Sequence, residues 1–291
     1  MSGPSARVFA PAKINLALHV TGRRADGYHL LDSLVVFADA GDEVCVEPAA
    51  ETSLTLEGPE SAWVPDGADN LALRAAALFD VPVSIRLSKH LPVASGIGGG
   101  SADAAAVLRG MLALQDARAV PDSSALLDLG ADIPVCVECA PQRLEGIGEK
   151  LSPLAGLPPL FAVLVNPRKP VSTPAVFKAL DSVDNPGMPA ALPKFETPGA
   201  LIEWLADQRN DLEAPACDLE PSVRLVLSEL QDIHTCRLAR MSGSGATCFG
   251  LFSDAAAAGL AATLLSGAYP DWWVRPVVLG DQAEASAARI S

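Results

Sequence analysis

Apolar residues dominate the first stretch of the chain, Arg7-Val-Phe-Ala-Pro-Ala-Lys-Ile-Asn-Leu-Ala-Leu-His-Val20, and return at Ser33–Ala38. Both runs predict strands, with a polar turn over Gly22 to Gly27 between them. Period-two alternation at Glu43–Glu47, Ser53–Glu57 and Val83–Leu87 predicts three more half-buried strands. Asp69 reads as the N-cap of a helix extending to Phe79. A glycine-rich stretch, Ser95 to Ser101, then runs straight into Ala104, Leu108, Met111 and Leu112 at helical spacing, which predicts a loop opening into an amphipathic helix with Asp103 in its first turn. Ser123–Leu129 predicts a helix ended by Gly130. Pro134 disfavours helical backbone at Ile133, so Asp132 is expected at a helix exit.

In the second half, the pattern predicts strands over Leu160–Val165 and Trp272–Val278, and helices over Thr173–Leu180, Pro198–Ala206, Pro221–Leu230 and Ala255–Leu265. A proline-rich loop covers Asp184–Pro198, and a glycine turn at Met241–Thr247 leads into a strand ending at Phe252. Strands and helices come in blocks rather than in strict alternation, which favours an α+β fold. The length of 291 residues suggests two domains. The Pro/Gly cluster from Ser152 to Pro159 is the expected boundary, giving units of 1–152 and 153–291.

Composition narrows the field. With 49% hydrophobic and 19% charged residues the chain can build a core, and disordered or collagen-like classes are excluded. The net charge is −14, and the longest basic clusters are pairs, Arg23-Arg24 and Arg168-Lys169, so a nucleic-acid partner is not expected. No run of about 18 apolar residues spans a membrane, and Lys13 and Asn15 interrupt any signal-like segment. Six scattered cysteines read as reduced thiols, Cys136-x-x-Cys139 included, and the expectation is a soluble cytoplasmic protein. His19, His90 and His234 have no partners at ligand spacing.

Candidate chemistry centres on the first glycine loop. Gly96, Gly98, Gly99 and Gly100 permit left-handed backbone and close approach of a ligand, while the following helix start offers unpaired N–H donors and partial positive charge. Together they suit a phosphate, to which Ser101 could add its hydroxyl. The loop matches neither the Walker pattern nor GxGxxG. Ser242-Gly-Ser-Gly-Ala246 is a second small-residue turn, explained equally well by close packing. Lys13 and Asn15 share one face of their strand, and a lysine there needs either an anion or solvent. Asp132 is a candidate base or simply a turn residue, and Asp26-Gly-Tyr-His29 supplies an aromatic and an imidazole beside a strand.

Three motifs in order, Pro11-Ala-Lys-Ile-Asn15, Leu91-Pro-x3-Gly-Ile-Gly-Gly-Gly-Ser-Ala-Asp103 and Ser242-Gly-Ser-Gly-Ala246, resemble the GHMP kinases over nearly the whole chain. Arg24–His29, Gly130–Pro134, Glu145–Glu149, Thr173–Phe177 and Asn210–Glu213 resemble those members that act on a cytidine-diphosphate-linked methylerythritol. The resemblance implies the two-domain α+β GHMP architecture with the active site in the interdomain cleft, ATP with Mg2+ as cofactors, and a monomer or homodimer. It implies ATP binding by Pro92, Val93, Ala94, Ser95, Gly96, Ile97, Gly98, Gly99, Gly100 and Ser101. Asp132 would be the base and Lys13 its cationic partner; Asn15, Tyr28, His29, Phe177, Ser242 and Gly243 would meet the substrate, with Tyr28 and Phe177 enclosing cytosine and His29 reading its edge. Ala94 and Ser95 depart from the family where glycine is frequent, and Ala102 departs where serine is common.

Overall fold

The computed structural model describes residues 3–115 and 121–291. Its first half carries strands β1 (Ala6–Arg23), β2 (His29–Pro48) and β3 (Ser53–Glu57), helix α1 (Leu71–Ala76), strand β4 (Val83–Ser88), helices α2 (Gly99–Leu114), α3 (Ser123–Leu129) and α4 (Ile133–Glu138), and strands β5 (Gln142–Gly146) and β6 (Lys150–Pro153). The second half adds β7 (Leu160–Asn166), α5 (Thr173–Lys178), α6 (Pro198–Ala206), α7 (Glu213–Leu219), α8 (Pro221–Gln231), β8 (Leu238–Met241), β9 (Cys248–Phe252), α9 (Ala255–Ala268), β10 (Trp273–Gly280) and β11 (Arg289–Ile290).

β2 is the spine. One edge pairs along its length with β1, and the other pairs in turn with β5 at Leu31–Val35, β10 at Phe37–Ala38 and β4 at Glu43–Pro48. Through β10 the sheet continues to β7, β9 and β8, so strands from both sides of residue 152 form one sheet. β1 is buried almost throughout, which explains why its run is predominantly apolar. Its register shifts between Pro11 and Lys13 and again between Asn15 and Ala17. These irregularities bracket the Lys13–Asn15 segment, a device that re-aims side chains beside functional sites.

Several expectations change. The cap of α1 is Asn70, whose side chain accepts from Ala72 N, rather than Asp69, and the helix ends at Ala76. α2 is not amphipathic: every residue from Ala102 to Leu108 is buried, because the helix lies against β1 and β2 on one side and is flanked by α1 and α4. Ile133 is helical, since proline in a first turn sacrifices no hydrogen bond; Asp132 therefore stands at the start of α4 as well as after α3. The pattern also missed β5, β6, β8 and α7, all short.

Candidate active site

The turn from β4 into α2 builds one wall of a cleft of about 640 Å³. Gly96 and Gly98 take φ of +76° and +66°, which swings the chain around so that the amides of Gly99, Gly100 and Ser101 stand ahead of the first helical bond, Ala102 N to Gly98 O at 2.8 Å. Ala94 also has positive φ (+51°) and holds a strained conformation. Pro92 to Gly96 and Gly98 to Ser101 line the cleft. Ile97 does not: its side chain is wholly buried in the core beneath, and only its carbonyl serves the site, accepting from Lys13 N at 2.9 Å.

The second glycine turn, Ser242–Gly245, is packed directly onto the first. A Cβ on Gly96 would stand 2.6 Å from the Gly245 carbonyl oxygen, so only glycine fits. Thr247 N donates to Ser95 O at 3.0 Å, and Asn15 N donates to Ser242 Oγ, which in turn donates to Gly96 O. Ser242 was expected to meet substrate, but it is fully buried and its hydroxyl joins β1 to the first loop. Gly243, Ser244 and Gly245 present the surface instead. Ser244 Oγ shares a hydrogen bond of 2.7 Å with Thr173 Oγ1 of α5.

Beside the loop, Lys13 Nζ donates to Asp132 Oδ1 at 2.9 Å. The lysine side chain is 5% exposed and the carboxylate 39%, so Lys13 reaches from the floor to an Asp132 open to the cleft. Gly98 is tight against this lysine: an added Cβ would lie 3.2 Å from Lys13 Cβ. Asn15 lines the cleft as well, with Nδ2 donating to Ser33 Oγ and Oδ1 buried without a protein partner.

At the far end the aromatic residues are arranged otherwise than expected. Phe177 lines the cleft and stacks on His29, with centroids 4.7 Å apart and planes 22° from parallel, whereas Tyr28 is 61% exposed on the turn before β2. Burial and the nearby Arg23 lower the His29 pKa below its usual 6.5.

Sequence reasoning overlooked a layer beneath the loop. Lys89 is buried and its ammonium contacts both Asp42 and Asp103. Asn210 is similarly hidden, donating through Nδ2 to Met241 O and Gly243 O at 2.8 Å each and so fixing the second glycine turn. Asn210 was legible only as part of a family-like stretch, and Lys89 carried no local signal.

Residues 70–140 match the GHMP kinases N terminal domain, and residues 188–271 match the GHMP kinases C terminal domain. The chain belongs to the GHMP kinase family. Within that family it is 55% identical to a 4-diphosphocytidyl-2-C-methyl-D-erythritol kinase of Roseobacter denitrificans, covering 98% of this chain and 97% of the relative. It is 59% identical to the enzyme of that name from Dinoroseobacter shibae, covering 93% and 94%. A crystal structure of 4-(cytidine 5'-diphospho)-2C-methyl-D-erythritol kinase superposes with a TM-score of 0.77 at 36% identity, covering 94% of this chain and 99% of that one. Homoserine kinase from Cytophaga hutchinsonii, at 17% identity and a TM-score of 0.67, shares the fold.

Proposed function

We propose that this kinase transfers the γ-phosphoryl group of ATP to the 2-hydroxyl of 4-diphosphocytidyl-2-C-methyl-D-erythritol, giving its 2-phosphate and ADP. The observation that carries the proposal is the Lys13–Asp132 pair, 2.9 Å apart, lining the same cleft as the bunched amides at the start of α2. The triphosphate lies along Gly98 to Ser101, where free N–H groups and the helix start favour negative charge. Among the described residues no cluster of three His, Cys, Asp or Glu side chains forms a metal cage. Mg2+ would accompany the triphosphate and, when bound, would offset its charge.

The acceptor hydroxyl sits by Asp132, which takes its proton, while the Lys13 ammonium steadies the developing negative charge. Positioning supplies most of the rate, as expected for a loose phosphoryl transition state. Asn15, which lines the cleft, contacts the substrate on this reading. Cytosine takes the face of Phe177 that His29 covers, His29 then meets its edge, and Tyr28 turns in from the exposed strand turn to close the sandwich. On this reading residues 1–152 form the ATP-binding half, 153–291 complete the cleft, and the enzyme works in the cytoplasm. Release of ADP with the cytidylated acceptor, and none with the same alcohol lacking cytidine, is the expected result. Turnover with the uncytidylated alcohol alone would assign the chain to a different GHMP reaction, and no turnover with any alcohol would make it a binding protein.

A further inference from the structure

The first glycine loop rests on three buried charges. Lys89 follows β4 and leads into the loop; its Nζ contacts Asp42 of β2 and lies 2.7 Å from Asp103 Oδ2, which stands just past the first turn of α2 rather than in it as expected. That ammonium would be 3.0 Å from a Cβ added at Gly99, so it sits immediately under the helix start. Asp42 is fully engaged, its Oδ1 accepting from the amides of His90 and Leu91 and its Oδ2 from Lys89. Asp103 has only the lysine on one oxygen, and its Oδ1 is buried with no partner. The side chains of all three residues are at most 5% exposed.

Two carboxylates and one ammonium leave one uncompensated negative charge, directly behind amides that the proposed reading assigns to a triphosphate. Burying such a charge is costly, and the group that can shed it is the carboxyl with a free oxygen. We infer that Lys89, Asp42 and Asp103 position the phosphate loop, and that Asp103 holds a proton whose retention is coupled to ATP binding. Burial, opposed by Lys89 and reinforced by Asp42, pushes the Asp103 pKa up to about 8. The other charged groups nearby are committed elsewhere. Arg109, further along α2, bonds the carbonyls of Phe9, Cys136 and Ser286; Arg74 of α1 reaches the Asp128 carbonyl; Lys13 of β1 is bound to Asp132 beyond Gly98.

Reciprocity fixes the sign. Ionising Asp103 adds negative charge behind the phosphates and weakens ATP, so bound ATP must hold the proton more tightly. The test, which rests on the ATP reading, is calorimetry with Mg-ATP and no acceptor between pH 7 and 9, in buffers of different ionisation enthalpy. The wild type should lose affinity on the order of tenfold across this range and take up a fraction of a proton near pH 8. Asp103→Asn, which keeps the shape without the titration, should show a Kd that is flat with pH and no proton uptake. Lys89→Met should raise the ATP KM more than tenfold while leaving the acceptor KM in place; if that variant fails to fold, Asp103→Asn decides. A wild type that binds ATP with a flat Kd and no uptake overturns the inference alone. A wild type that binds no ATP at any pH overturns the reading of the loop beneath it.

Discussion

Replacing Gly96 with alanine tests whether the two glycine turns act as one device. Gly96 has φ of +76°, a conformation that costs an L-residue roughly 1–2 kcal/mol. The larger effect is steric. The new methyl carbon would lie 2.6 Å from Gly245 O and 2.7 Å from both Gly245 N and Ser242 O, about 0.8 Å short of the 3.4 Å at which ordinary contact begins. All three neighbours are backbone atoms, held by the Asn15–Ser242–Gly96 chain and the Thr247–Ser95 bond, so no side chain can swing away. The turns must part by most of that distance. Misplacing reacting groups by about 1 Å can cost a hundredfold, so kcat/KM for ATP should fall ~10²-fold, equivalent to about 2.7 kcal/mol. Steady-state kinetics with varied ATP, alongside thermal melts, reads both consequences. Gly100→Ala is the control: its methyl would meet only Leu71 Cδ1 at 3.7 Å, so the melt should be unchanged or higher by up to about 1 kcal/mol of stability. A Gly96→Ala enzyme with wild-type ATP kinetics would refute the shared-wall argument.

Other substitutions separate the remaining roles. Asp132→Asn should lower kcat by ~10²–10⁴-fold with little change in melting, because the side chain is 39% exposed; full turnover removes it from the mechanism. Phe177→Ala should weaken acceptor binding by roughly 1–3 kcal/mol and spare the ATP KM, and an unchanged acceptor KM would detach this ring from the base. Ala94→Gly should raise stability by about 1 kcal/mol through relief of its positive φ, as seen in urea midpoints. The buried His19, with its ring against Pro186 O and Arg209 N, has a pKa lowered from 6.5 chiefly by burial and then by Arg209. Below about pH 6.5 the unfolded chain binds a proton that native His19 refuses, so stability should fall as pH drops through that window, and His19→Gln should flatten the curve.

What could be read from the sequence had a local cause. The glycine cluster Gly96 to Gly100 announces unusual backbone, and the structure gives two of these residues positive φ. Alternation placed Lys13 and Asn15 on one face, and both do line the cleft. The Asp132 contact could not follow from spacing, since 119 residues separate it from Lys13. Ser242 shows the limit of motif transfer: a hydroxyl in a glycine turn reads the same whether it faces a ligand or a neighbouring strand, and packing decided for the strand. Lys89 lay among polar residues that resemble a strand exit, and its partners are 47 and 14 residues away. Pro134 misled because its penalty depends on position, and a first helical turn carries none.

The contact between Gly96 and Gly245 also bears on the order of synthesis. A nascent chain stopped short of Met241 already contains every residue of the first loop but lacks the turn that packs onto Gly96. Such a fragment should hold nucleotide poorly, so the full grip on ATP comes only when about the last sixth of the chain has emerged and docked.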